Sequence, residues 1–305
     1  MELLLKETTQ MNTELFNYLL SIPESQIYSQ DHEPLLQHPA DILLKQTKNF
    51  YSSITKLLSV CETDQDCSNE IQNAFITLDS FYDNCFNIIK TLYPKTESIK
   101  IFTSDWLVDS NIFDGKYFFQ YTNMHHSFVS TVSNIIKHDT SSIIPIQFRD
   151  VKTDNPIFGF YFATLIDNDK IGPDERIHKP YQNIRTAFSY NFIIRKLIGL
   201  MFFYEFNLYK IIKKPISIKK SYTNNVYLDL YNIGLSLETN FYINEYSLPT
   251  SDFKSIGKSK VVKFPTMFKS IEPLTYNYQL TTSIETNPRT QSAKGYLPYV
   301  GKISK

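Results

Sequence analysis

The sequence predicts an α+β protein, mainly a helical bundle with an inserted β-hairpin and a small β-rich C-terminal region. Three observations carry this. Long stretches within residues 1–213 repeat apolar side chains at a spacing of three and four, the period of a helix with one buried face. Between about residues 143 and 167 the period drops to two, as in a half-buried strand. Beyond residue 213 only short alternating runs occur, in a basic, Tyr-rich stretch. The chain of 305 residues is 42% hydrophobic, with 23 Phe and 21 Tyr, which is ample for a packed core. The organisation expected is a helical unit, 1–213, and a basic β region, 214–305.

Met1 to Leu20 reads as a first helix, and Pro23, Pro34 and Pro39 then mark a loop. From Asp41, residues Ile42, Leu43, Leu44, Phe50, Ile54, Leu57 and Leu58 define a second helix. Asp64 to Tyr93 gives a third, through Ile71, Phe75, Leu78, Tyr82, Cys85 and Ile89, stopped by Pro94. The short polar link makes these two an antiparallel pair. A helix over about Lys116 to His138 is amphipathic, with Phe128, Val132, Ile135 and Ile136 on one face and Ser127, Thr131, Asn134 and His138 on the other. Ile144, Ile146 and Phe148 alternate, Lys152-Thr153-Asp154-Asn155-Pro156 supplies a turn, and Phe158, Phe160, Phe162 and Ile166 alternate again. Asp167-Asn168-Asp169 ends the second strand; Ile171 and His178 stand where a calcium loop needs oxygen ligands, so it is a turn. A helix apolar on nearly every face runs from about Arg185 to Lys213. Val226, Leu228 and Leu230, then Leu235 and Leu237, then Leu274, Tyr276, Tyr278 and Leu280 read as short strands.

Several function classes drop out. The eight glycines form neither G-x-G-x-x-G nor a P-loop, so a dinucleotide fold or P-loop NTPase is not expected. Lys and Arg number 31 and so do Asp and Glu, which excludes a polybasic tail protein. From residue 200 onward, 14 basic residues face 7 acidic ones, so the first 199 residues hold 17 against 24. Cys61, Cys67 and Cys85 are an odd number without a C-x-x-C pair, which fits free thiols in a reducing cytoplasm better than disulfides or zinc. Glu2 and Glu7 flank a run of only Leu3-Leu4-Leu5, and no export signal is expected. Phe192 to Ile212 is interrupted by Arg195, Lys196, Glu205 and Lys210. Each such charge costs about 2.5 to 3.5 kcal/mol at a bilayer centre, so a buried helix, not a membrane partner, is expected. No cofactor is expected, nor a metal at His125-His126 and His138, which lack ligand spacing.

The chemically informative stretch is Ser133-Asn134-Ile135-Ile136-Lys137-His138-Asp139 at a helix end. Asn134, Lys137 and His138 stand a turn apart and project from one side. A Lys and a His there also suit the helix dipole, and Asn134 also suits a wet face, so a capping role stands beside a functional one. The pattern resembles the HEPN superfamily, whose helical bundles carry an arginine, a polar residue after it and a histidine one turn on. Asn134 and His138 match the last two; Ser133 stands at the arginine position. The form N-x-x-K-H-D, with the hairpin, Gly172-Pro173, Ile177-His178 and Phe188-Ser189-Tyr190-Asn191, resembles uncharacterised bacterial HEPN-like proteins over residues 60–213.

The resemblance implies RNA as ligand and metal-independent RNA cleavage, in a defence or toxin setting, by a cytoplasmic homodimer. His138 would be acid and base on a ribose 2′-hydroxyl, with Asn134 positioning it and Lys137 and Arg195 on the phosphate. Arg185, His178 and Arg149 are further candidates. Within an apolar run, Arg195 suits a structural ion pair with an acid of the N-terminal helices better than a phosphate. Lys254, Lys258, Lys260, Lys263 and Lys269, interleaved with Phe253, Phe264, Phe268 and Tyr276, have the composition of an RNA-binding surface, or of the solvated face of a β domain. The competing expectation is a non-catalytic scaffold that docks an effector protein.

Overall fold

The computed structural model describes residues 2–5, 14–61, 67–95, 102–138, 142–150, 156–166, 170–215, 225–257, 259–267, 278–281 and 295–299. The fold is α+β and mainly helical. Strand β1 is Glu2–Leu5 and helix α1 is Glu14–Ser21. Helices α2 (Pro39–Cys61), α3 (Ser68–Lys90), α4 (Thr103–Asp109) and α5 (Phe113–His138) follow. Then come strands β2 (Ser142–Asp150), β3 (Pro156–Ile166), β4 (Lys170–Pro173) and β5 (Phe188–Ser189). Helices α6 (Tyr190–Ile212) and α7 (Val226–Ser236) precede β6 (Pro249–Ile256), β7 (Ser259–Met267) and β8 (Tyr278–Thr281).

The pair α2 and α3 and the helix α5 form where the apolar period places them. Leu43, Phe50, Ile54 and Leu57 of α2, and Ile71, Phe75, Leu78, Tyr82 and Ile89 of α3, are all buried. Each such side chain contributes about 1.5–3 kcal/mol when removed from water. His32 closes the C-terminal end of α3: its Nε2 lies 3.0 Å from the carbonyls of both Lys90 and Tyr93. Helix α6 is buried on almost every side because other elements surround it, and this explains its continuous apolar sequence. It starts at Tyr190 because Ser189 caps it, its Oγ accepting from the Phe192 N–H at 3.3 Å. The same hydroxyl donates to Glu245, which also accepts the N–H groups of Ser189 and Tyr242 at 2.8 and 2.7 Å. A buried carboxyl group, its pKa pushed up to about 8 by burial, thereby satisfies three donors and ties the segment before β6 to the start of α6.

The hairpin of β2 and β3 pairs in the register Ile146↔Gly159 and Phe148↔Ile157, with its turn outside the described residues. β4 and β5 add to the far side of β3, and β8 adds to β2. A second antiparallel sheet has the order β1-β7-β6. Both sheets therefore draw strands from either side of residue 213.

Two elements differ from the sequence expectation. Leu3-Leu4-Leu5 belongs to a strand paired with Val262, Val261 and Lys260, not to a helix, so the first helix begins only at Glu14. Short apolar runs take their structure from a partner strand when one is within reach. Val226–Ser236 is a helix, not a strand, because its buried residues are Tyr227, Leu230, Tyr231 and Gly234, a spacing of three and four. Asp167-Asn168-Asp169, Leu274 and Tyr276 lie outside the described residues. Among the described residues no helix is long and apolar enough to cross a membrane.

Candidate binding face on helix α5

Helix α5 turns two polar faces in opposite directions. Phe118, Thr122, His126, Val129, Val132 and Ser133 point into the bundle. On that side Asp79 of α3 accepts a hydrogen bond from Lys137 Nζ at 2.9 Å and lies 3.3 Å from His126 Nε2. The His126 ring stacks on Tyr82, with centroids 3.5 Å apart and planes 11° from parallel, and its Nδ1 lies 3.4 Å from the Tyr204 hydroxyl. With Nε2–H directed at the carboxylate, Nδ1 is left to accept from Tyr204. Tyr82 shares a hydrogen bond with Thr122 at 3.1 Å. Burial alone would raise the Asp79 pKa, but hydrogen bonds from His126 and Lys137 outweigh it and hold the carboxyl below its ordinary value. Asp79 and His126 escaped the sequence reading. The signal that could have found them is a carboxylate and an imidazole on otherwise apolar helical stripes.

The other face is exposed. Asn134 and His138 reach solvent one turn apart, as their spacing predicts, and neither side chain forms a hydrogen bond or ion pair among the described residues. Asp139, the last residue of the motif, lies outside them. Ser133, at the arginine position of the resemblance, is fully buried, so a longer cation there would enter the bundle and not join His138. Lys137 is committed to Asp79.

The other expected site residues are placed elsewhere. Arg195 is buried, donates to the Leu237 carbonyl at the end of α7 and lies over the Phe253 ring, with Asp252 acting on it at longer range. Among the described residues it forms no hydrogen bond with Asn134, Lys137 or His138, and its counter-charge comes from β6 instead of the N-terminal helices. His178 is buried, and its Nε2 accepts the Phe162 N–H at 2.9 Å. Burial pushes its pKa down to about 3, so the ring is a neutral part of the core. Arg185 lies over the Tyr296 ring at 4.2 Å. Lys260 and Lys263 sit on β7, the central strand of its sheet, while Lys258 lies outside the described residues, as does the Arg149 side chain. Phe253 and Phe264 are buried against Tyr231 and Phe203, so these two rings are not free to stack on bases. Among the described residues no group of three or more His, Cys, Asp or Glu is placed to hold a metal ion.

What the exposed face of α5 offers is apolar area. Phe113, Tyr117, Tyr121 and Met124, at i, i+4, i+8 and i+11, are 63%, 46%, 57% and 76% exposed. Phe119, on the far side of the helix from Tyr117, and Phe102 and Val108, before and on α4, are exposed as well. The helix has no Asp or Glu after Asp114, and Asp114 accepts a hydrogen bond from Tyr93 at 2.7 Å. The same face continues through Ser127 and Thr131 to Asn134 and His138. No family model, no curated protein and no solved structure matches the chain.

Proposed function

We propose that the protein is a non-catalytic interaction protein that docks a partner on the exposed face of α5. The observation that carries this is the row of Phe113, Tyr117, Tyr121 and Met124 in water, since contiguous apolar area of this kind marks a binding surface. The placement of the cations that the resemblance assigns to the phosphate points the same way. A phosphoryl transfer needs cations on the non-bridging oxygens, but Lys137 is paired with Asp79 and Arg195 is directed at Leu237.

A second reading follows from the HEPN-like resemblance: RNA bound, with or without cleavage, at Asn134 and His138. It is supported by the exposure of this pair on a helix without acids after Asp114.

Purified protein, His138→Ala and the Tyr117→Ser/Tyr121→Ser/Met124→Ser variant separate the two. The docking reading expects no metal-independent RNA degradation, and a stoichiometric co-purifying polypeptide that the triple variant loses and His138→Ala keeps. RNA cleavage abolished by His138→Ala, with the circular dichroism unchanged, would replace it with the enzyme reading.

A further inference from the structure

The row on α5 is straight and rod-like. From Phe113 to Met124 it rises about 16 Å, three turns of helix. A helix surface has no unpaired backbone groups to offer an added strand, so side chains alone must make the contact, and the complement of a straight row of anchors is another helix.

Charge narrows the partner further. Helices α5 and α6 are antiparallel neighbours: Lys196 lies over Phe128, His125 meets Phe203, and Lys210 lies over Tyr121 at 5.8 Å. The C-terminal end of α6 therefore borders the row, and its exposed lysines are Lys210, Lys213 and Lys214. Lys213 is drawn to the Tyr209 ring at 4.8 Å, with Glu14 acting on it; among the described residues Lys210 meets only the Tyr121 ring, part of the row itself, and Lys214 has no side-chain partner, so these two cations face a partner docked on the row. Lys116, exposed, lies on the opposite margin by helical periodicity. Asp105 and Asp109 belong to α4, and Asp114, beside Phe113, is held by the Tyr93 hydroxyl.

We propose that α5 receives an amphipathic helix of the partner protein, its apolar side chains on Phe113, Tyr117, Tyr121 and Met124 and its carboxylates facing the lysines at the end of α6. The inference rests on the docking reading and adds the chemistry of the partner. Lysines bordering an apolar row select against a basic flank as much as they attract an acidic one.

The probes are two helical peptides with the same leucine row, one flanked by glutamates and one by lysines, titrated into the full chain by fluorescence anisotropy. The acid-flanked peptide should bind about tenfold more tightly or better at low salt, and the gap should shrink at about 1 M salt, where charges are screened beyond roughly 3 Å. Lys210→Glu with Lys214→Glu should invert the preference, and Tyr121→Ser with Met124→Ser should lose both peptides. Equal binding of the two peptides overturns the acidic-flank inference and leaves the docking reading standing; binding of neither overturns both. A dimer in sedimentation that Met124→Ser dissolves, or retention on anionic vesicles in preference to either peptide, assigns the face to a second copy or to lipid and also overturns the proposal.

Discussion

Asp79 shows how much one carboxylate arranges in this bundle. It holds Lys137 at the surface and His126 beneath it, and so fastens the second half of α5 to α3. Asp79→Asn replaces charge-assisted bonds by weaker ones and is expected to cost about 2 kcal/mol in urea unfolding followed by the buried Trp106. Because its folded pKa lies below the ordinary value, this contribution is present above about pH 4 and lost as pH falls through the folded value. The difference between wild type and variant should therefore close in strong acid. His178 acts in a higher window. Burial holds it neutral to about pH 3, whereas an unfolded histidine protonates near 6.5, so between these values the unfolded chain takes up a proton that the native chain refuses. Stability should fall by about 1.4 kcal/mol per pH unit on acidification below 6.5. His178→Gln, which keeps an acceptor for the Phe162 N–H, should be flatter there; an unchanged slope would show the ring to be solvated. At this scale the sequence showed Asn134 and His138 on a wet helix face. It did not show that Lys137 has a partner 58 positions away, because that pairing depends on how α3 and α5 cross.

At the scale of elements, α2, α3, α5 and the hairpin were legible because each carries its own period, and α6 because its apolar run is too long for a strand. α7 was misread because counting Val226, Leu228 and Leu230 alone suggests alternation, while including Tyr227 and Tyr231 as apolar restores a helical spacing. β1 was misread because three leucines have no period and their pairing with β7 is non-local. Contact between elements also fixes single positions that no local pattern marks. Gly159 of β3 lies against β5 and the segment before β6: an added Cβ would stand 2.1 Å from the Phe188 carbonyl oxygen and 2.4 Å from the Tyr242 hydroxyl. Backbone cannot give way as a flexible side chain does, so Gly159→Ala should cost at least the 1–3 kcal/mol typical of overpacking. A loss of near-ultraviolet dichroism and a lower urea midpoint would show it; an unchanged midpoint would mean that the hairpin docks less tightly than described.

For the whole molecule, the acidic and basic parts of the sequence are not kept apart. The N-terminal strand lies on basic β7, and β8 completes the hairpin sheet. One large core joins Leu15 and Phe16 of α1 to Phe253 and Phe264 of the last sheet, through α6. The sequence by itself determined the fold class, the long helices, the hairpin and the wet face of α5, since burial on one side imposes a period and burial all round, as in α6, an unbroken apolar run. Only the tertiary structure decided which cations remain available, which rings are exposed and where the short strands belong. Those properties depend on what lies across from a residue, and a one-dimensional pattern records only that something does.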